Sequence, residues 1–206
     1  MVLAPHPDDE AIGCGGMLCL HADRGDRISV VYLTSGEKGL QRVPRQEAWT
    51  IREAEAERGC AILGVASLAF LRLPDWQLGD HADAAAAALV PLLADQDPDL
   101  LYLPHPNEDH PDHRAALPIA RAALSQNGMA AAALRGFEVW TPLARFDIKC
   151  DITAVMPRKL RAVRAHASQL NDRRYDRAIR GLNRYRGEIA ATGGYAEVFR
   201  DLTASA

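Results

Sequence analysis

Short apolar runs alternate with helix-length stretches over the first two thirds of this chain, and few folds accept that pattern. Val2–Leu3–Ala4 leads into a helical segment reaching about Arg24. RISVVYLT, Arg27–Thr34, is a β-branched run between Gly25 and Ser35–Gly36, so it reads as a second strand. A helix over Pro44–Leu63 stops at Gly64, and a third strand, Ser67–Leu73, ends at Pro74–Asp75. An alanine-rich helix over Asp83–Ala94 follows, in which Pro91 should disturb or end the pattern. A fourth strand at Asp99–Leu103, a helix at Asp112–Ser125 and a fifth strand at Gly136–Trp140 complete the series. Strand–helix alternation predicts an α/β fold: a Rossmann-like, doubly wound, mostly parallel sheet flanked by helices.

The last quarter reads differently. Leu160, Val163, Ala167 and Leu170 recur at helical spacing within Lys159–Leu170. A helix over 172–189 puts Tyr175, Ile179, Leu182 and Ile189 on one stripe. Arg173, Arg174, Arg177, Arg180 and Arg184 lie opposite, with Asp172 and Asp176 as partial counter-charges. Such an arginine stripe reads as a solvated face before it reads as a site for an anion. Residues 1–143 are thus expected to form the core of a single domain spanning 1–206, and residues 144–206 a largely helical, strand-containing extension.

The 206 residues, 48% of them hydrophobic, suffice for one substantial core. A formal net charge of −3 argues against a nucleic-acid partner. No run is apolar enough to span a membrane, and the amino terminus lacks the build of a signal peptide, so a cytoplasmic location is expected. Cys14, Cys19, Cys60 and Cys150 form no CxxC pair and read as buried free thiols. The first strand is short enough to look clipped upstream. Oligomeric state is unreadable, a homo-oligomer being open.

Two dense polar patches interrupt this pattern. PHPDDE, Pro5–Glu10, follows the first strand, and PHPNEDHPDHRAA, Pro104–Ala116, follows the fourth. Asp8, Asp9 and Glu10 could cap the next helix and complement its dipole, yet one carboxylate suffices for a cap. Adjacent like charges raise one another's pKa unless a cation intervenes. A divalent metal resolves the crowding: His6 can give a nitrogen and one aspartate an oxygen, leaving the other as a base. The second patch holds His105, Glu108, Asp109, His110, Asp112 and His113. Strands one and four flank the switch point of common doubly wound sheets, so both patches should face one crevice. Gly13, Gly15 and Gly16 do not follow the strand in dinucleotide-binding order. They more plausibly let the first helix pack closely on the sheet. No GxSxG elbow or P-loop occurs.

PHPDDE paired with HPDH about a hundred residues on resembles the PIG-L/LmbE-like family of zinc-dependent de-N-acetylases. TSGEKG (Thr34–Gly39), Arg52 and Glu55 in IREAEAERGCAILGV, LPDW with Asp75, KLRAVRAHASQ and GGYAEVFR extend the resemblance over most of the chain. It implies zinc held by His6, Asp9 and His113, with iron(II) or another divalent metal as a possible substitute. Asp8 is implied to be the base toward the attacking water. His110 would aid the oxyanion, and Asp112 would orient His110 and favour its imidazolium. Either Asp8 or His110 could protonate the leaving amine. Arg52, Asp75, Glu37 and Trp76 are the expected substrate contacts. His105 is the weaker ligand candidate, Glu10 stays outside the catalytic set, and Trp49 and Trp140 carry no expectation. The implied reaction removes acetyl from a small-molecule amino sugar or glycoside. Hydrolysis of another amide or ester, or a non-catalytic metal- or sugar-binding role, are the alternatives.

Overall fold

The structure is a computed structural model and describes residues 1–128, 132–171, 173–190 and 192–203. Among these residues the strands are β1 (Val2–Ala4), β2 (Ser29–Thr34), β3 (Ser67–Leu73), β4 (Leu100–Pro104), β5 (Ala133–Phe137), β6 (Ile148–Asp151) and β7 (Ala196–Asp201). They form one sheet in the order β3-β2-β1-β4-β5-β7-β6. The first five are parallel, and β1 pairs with both β2 and β4, so strand order reverses beside β1. Among the described residues the α-helices are α1 (Asp9–Arg24), α2 (Arg45–Leu63), α3 (Ala82–Gln96), α4 (Pro111–Gln126), α5 (Met156–Ala165), α6 (Ala167–Leu170) and α7 (Tyr175–Ile189). No described helix is long and apolar enough to cross a membrane.

The two-residue period of the strands divides the core in two. Val2, Val30, Tyr32 and Tyr102 face one layer with α1, α2, α5 and α7, whereas Leu3, Val31, Leu33, Leu101 and Leu103 face α3 and α4. Close packing of α1 depends on Gly13, where a Cβ would lie 2.1 Å from the Phe137 ring of β5. Pro91 does not end α3. It sits inside the helix, where a proline costs about 3 kcal/mol. Burial of Leu89 and Leu93, at about 1.5–3 kcal/mol each, offsets that cost.

The carboxyl-terminal quarter departs most from expectation. The helix expected over Lys159–Leu170 breaks at His166 into α5 and α6. Asp172 lies outside the described residues, and α7 begins at Tyr175. Two antiparallel strands join the helices, β7 pairing with both β5 and β6. β5 ends at Phe137 rather than Trp140, because the N–H groups of Val139, Trp140 and Thr141 donate to the Glu108 carboxylate instead of a strand ladder.

The extension also closes a buried ion pair. Glu197 of β7 meets Lys159 Nζ at 2.6 Å and accepts the Gly16 and Met17 N–H groups, each at 2.7 Å. Those amides are free because α1 leaves helical geometry at Cys14, so Glu197 caps the renewed helix. Arg186 and Glu138 make a second buried pair, in which Glu138 also accepts the Leu143 N–H.

Candidate metal centre and cleft

The loops after β1, β3 and β4 converge at the carboxyl ends of the parallel strands. His6 comes from the first loop, Asp9 opens α1, and His113 lies in the first turn of α4. Three of their atoms form a triangle. His6 Nδ1 to Asp9 Oδ2, His113 Nε2 to Asp9 Oδ2, and His113 Nε2 to His6 Nδ1 are each 3.3 Å. A tetrahedral ion bonded at about 2.0–2.1 Å separates its ligand atoms by about 3.3–3.4 Å, so the residues fit a divalent cation. The backbone N–H of His6 fixes Asp9 Oδ2 further, at 2.8 Å. Burial pushes the Asp9 carboxyl up, but His113 and His6 hold it well below the usual range. Burial pulls His113 down and Asp9 more than reverses this, to about 8.

Behind each imidazole stands a carboxylate. Asp112 Oδ2 lies 3.1 Å from His6 Nε2 and accepts the Trp76 N–H at 2.7 Å, while Oδ1 accepts the Leu78 N–H. Glu108 Oε2 lies 3.5 Å from His113 Nδ1. Such partners fix ring orientation at metal sites. The expected pairing of Asp112 with His110 is therefore corrected. Only the Asp112 N–H reaches His110, donating to Nδ1 at 3.2 Å, because His110 caps α4 while the carboxylate turns to His6. Nor is His110 biased toward imidazolium. Burial, then His6 and His113, push it down to about 4. His105 faces away from the triangle, its Nε2 2.7 Å from the Thr141 carbonyl.

Asp8 stands beside the triangle without joining it. Its backbone has φ 114° and ψ −24°, a conformation that L-residues rarely adopt. Burial raises its carboxyl to about 6, against the opposing pull of Arg52. Arg52 Nη2 lies 3.3 Å from Asp8 Oδ2 and also bonds the Pro7 carbonyl, while Nη1 donates to the Gly36 carbonyl at 2.9 Å. Arg52 edges the cleft, but its guanidinium is occupied in bracing the Asp8 turn, not left free for substrate. Asp75 is likewise turned inward, with Oδ1 3.1 Å from His6 and Oδ2 accepting the Lys38 N–H. Glu37 binds the Trp49 indole and the Asp75 backbone and lies outside the cleft wall.

The cleft encloses about 700 Å³ above these groups. Trp76 is 54% exposed there, held at φ 68° by Asp112, with its ring centroid 4.4 Å from that of His110. Trp140, also on the cleft wall, is 42% exposed, edge-on to Tyr175 at 5.5 Å and has Arg173 over its ring at 5.6 Å. Trp140 carried no expectation from sequence, because it is the contacts of residues 139–141 with Glu108, His105 and Asp109 that turn it toward the cleft, whereas Arg173 was weighed only as part of the arginine stripe. Glu108 itself gave one signal, its place inside the second polar patch.

A doubly wound sheet carrying a His–Asp–His donor set at its switch point, with a spare buried acid alongside, defines the class of metal-dependent hydrolases. A profile of the family described as PIG-L: GlcNAc-PI de-N-acetylase matches residues 1–124, and the chain belongs to that family. The diacetylchitobiose deacetylase of Thermococcus kodakarensis is 31% identical over 82% of this chain and 69% of its own length. Among solved structures, the N,N'-diacetylchitobiose deacetylase from Pyrococcus horikoshii, complexed with its inhibitor MPG, superposes with a TM-score of 0.85. It is 26% identical, over 98% of this chain and 82% of the other. GalB, the 4-carboxy-2-hydroxymuconate hydratase from Pseudomonas putida KT2440, shares the fold at TM-score 0.82 and 22% identity, over 100% of this chain and 96% of its own.

Proposed function

We propose that the chain hydrolyses the acetamide of an N-acetylated amino sugar or glycoside, with His6, Asp9 and His113 as ligands of a zinc ion. The observation that carries this reading is the 3.3 Å triangle with a fourth polar group, Asp8, excluded from it. A binding module needs no such spare acid. Zinc, or iron(II) in its place, would supply Lewis acidity toward the carbonyl and activate the attacking water.

The protein's own groups divide the remaining tasks. Asp8, raised to about 6 by burial, is a carboxylate at neutral pH that takes a proton from water and is basic enough to do so. His110 accepts the Asp112 N–H at Nδ1, which leaves its proton on Nε2. As a neutral imidazole it donates a hydrogen bond to the developing oxyanion. With His110 uncharged, Asp8 is the group that returns the proton to the departing amine. Arg52 holds the Asp8 turn, and Asp112 and Glu108 hold the imidazoles of His6 and His113. Trp76 and Trp140 offer flat faces for sugar rings. Lys38, Arg42 and Arg173 line the outer wall, where an aglycone bearing an acidic group would be favoured.

The test is a panel: N-acetylglucosamine, N,N'-diacetylchitobiose, and N-acetylglucosaminides with neutral or acidic aglycones, incubated with zinc-loaded protein. Acetate and free amine are expected in equal amounts, fastest with an acidic aglycone. Zinc-replete protein that released neither from any of them would overturn the reading.

A further inference from the structure

We infer that Glu10 and His166 are a positioning pair for Asp8, holding its strained backbone in the conformation that places the carboxylate beside the metal ligands. The inference rests on Asp8 being the base. A residue at φ 114° is strained and persists only where its surroundings enforce it. Three contacts enforce it here. The Asp8 carbonyl accepts the Ile12 N–H at 2.9 Å, Arg52 binds the preceding Pro7 carbonyl, and the Asp8 N–H donates to Glu10 Oε2 at 3.2 Å.

Glu10 is not an ordinary acid in a first helical turn. Such a residue complements the helix dipole from solvent, whereas Glu10 is 0% exposed. A buried carboxylate needs a partner, and its second oxygen, Oε1, lies 3.4 Å from His166 Nε2. His166, itself buried, is the residue at which the helix breaks between α5 and α6. Two features hold that break in place. Gly59 of α2 leaves room for the imidazole, since a Cβ there would lie 2.9 Å from His166 Nε2. Ser168 donates from both its N–H and its hydroxyl to Glu55 of α2, at 2.7 and 2.6 Å. The chain of contact therefore runs from α2 through His166 and Glu10 to the amide of Asp8.

The experiment compares Glu10→Ala, Glu10→Gln and Gly59→Ala with the parent protein. The readouts are kcat and KM on N,N'-diacetylchitobiose, zinc content, thermal midpoint, and the exchange rate of the Asp8 amide in zinc-free protein. Misplacing a reacting group by about 1 Å costs on the order of a hundredfold. Glu10→Ala should therefore lower kcat about ten- to a hundredfold with KM and zinc content unchanged, and speed exchange at Asp8. Glu10→Gln keeps an oxygen for that amide and should restore both readouts to near parent values. Gly59→Ala, by crowding His166, should follow Glu10→Ala. The inference is overturned if Glu10→Ala keeps its kcat, if Glu10→Gln is as impaired as Glu10→Ala, or if each loss of rate tracks lost zinc or lost fold. Full activity in Asp8→Asn would instead remove the base assignment beneath it, so the two failures are told apart.

Discussion

The Lys159–Glu197 pair and the His6–Asp9–His113 triangle are both buried, yet they answer the problem of buried charge in opposite ways. Glu197 has its oxygens matched by one ammonium and two backbone amides, and the Arg186–Glu138 pair is similarly complete. Around the triangle the pairing is uneven: Asp75 and Asp112 both turn a carboxylate oxygen to His6 Nε2 at 3.1 Å, and His113 Nδ1 meets Glu108 only at 3.5 Å. Burial of charge alone thus does not mark a site. A completed set of partners stabilises the fold, whereas an oversupply of ligand atoms around one point awaits something more.

The contrast can be broken at either end. Replacing His6 and His113 together by alanine should weaken zinc binding by more than about a thousandfold and abolish turnover. Metal analysis checks this, and a double variant that still held one zinc tightly would refute the ligand assignment. Lys159→Met strikes the other cluster. Leaving Glu197 uncompensated should cost about 3–5 kcal/mol in denaturant unfolding, with zinc stoichiometry unchanged in the folded fraction. Lost zinc at full stability would reverse the two roles. Asp112→Ala probes the support of His6 and should lower zinc affinity about 10- to 100-fold in chelator competition.

Two smaller effects sharpen the comparison. Trp76→Ala removes stacking worth about 0.5–1.5 kcal/mol, so KM should rise about two- to twelvefold while kcat holds. Asp176 marks the weak limit of electrostatic support. Arg174 and Arg164 hold its carboxyl down to about 2. Because the folded value lies below the unfolded one, its contribution is complete above about pH 4 and is lost as pH falls toward 2. Both arginines are exposed, so the contribution should stay below about 1 kcal/mol, and Asp176→Asn should flatten the acid limb of stability by that amount.

Much of this was legible in the residues because two kinds of signal are local. Strand boundaries follow β-branched runs and their Gly or Pro stops, and Ser67–Leu73 was placed to the residue. Metal-ligand types concentrate in PHPDDE and HPDH, and the structure brings His6, Asp9, His110 and His113 together, with Asp8 beside them. Side-chain direction is not local. Arg52 on α2, Glu37 after β2 and Asp75 after β3 direct their polar ends onto Asp8 and backbone carbonyls, Trp49, and His6 respectively. A strand was expected within residues 144–206 but not located, because Glu197 interrupts the apolar run of β7, and that interruption makes sense only once Lys159 is placed opposite. Glu10 was passed over since an acid in a first turn is commonplace until its burial is known.

The reach of Glu197 has a kinetic corollary. It joins α1 across 181 residues, and a contact so distant in sequence forms late, after the intervening loops have closed. A chain in which β7 has not yet docked carries the Lys159 ammonium without an anion and the Gly16 and Met17 amides without an acceptor. The second half of α1 therefore gains its cap only once β7 has docked.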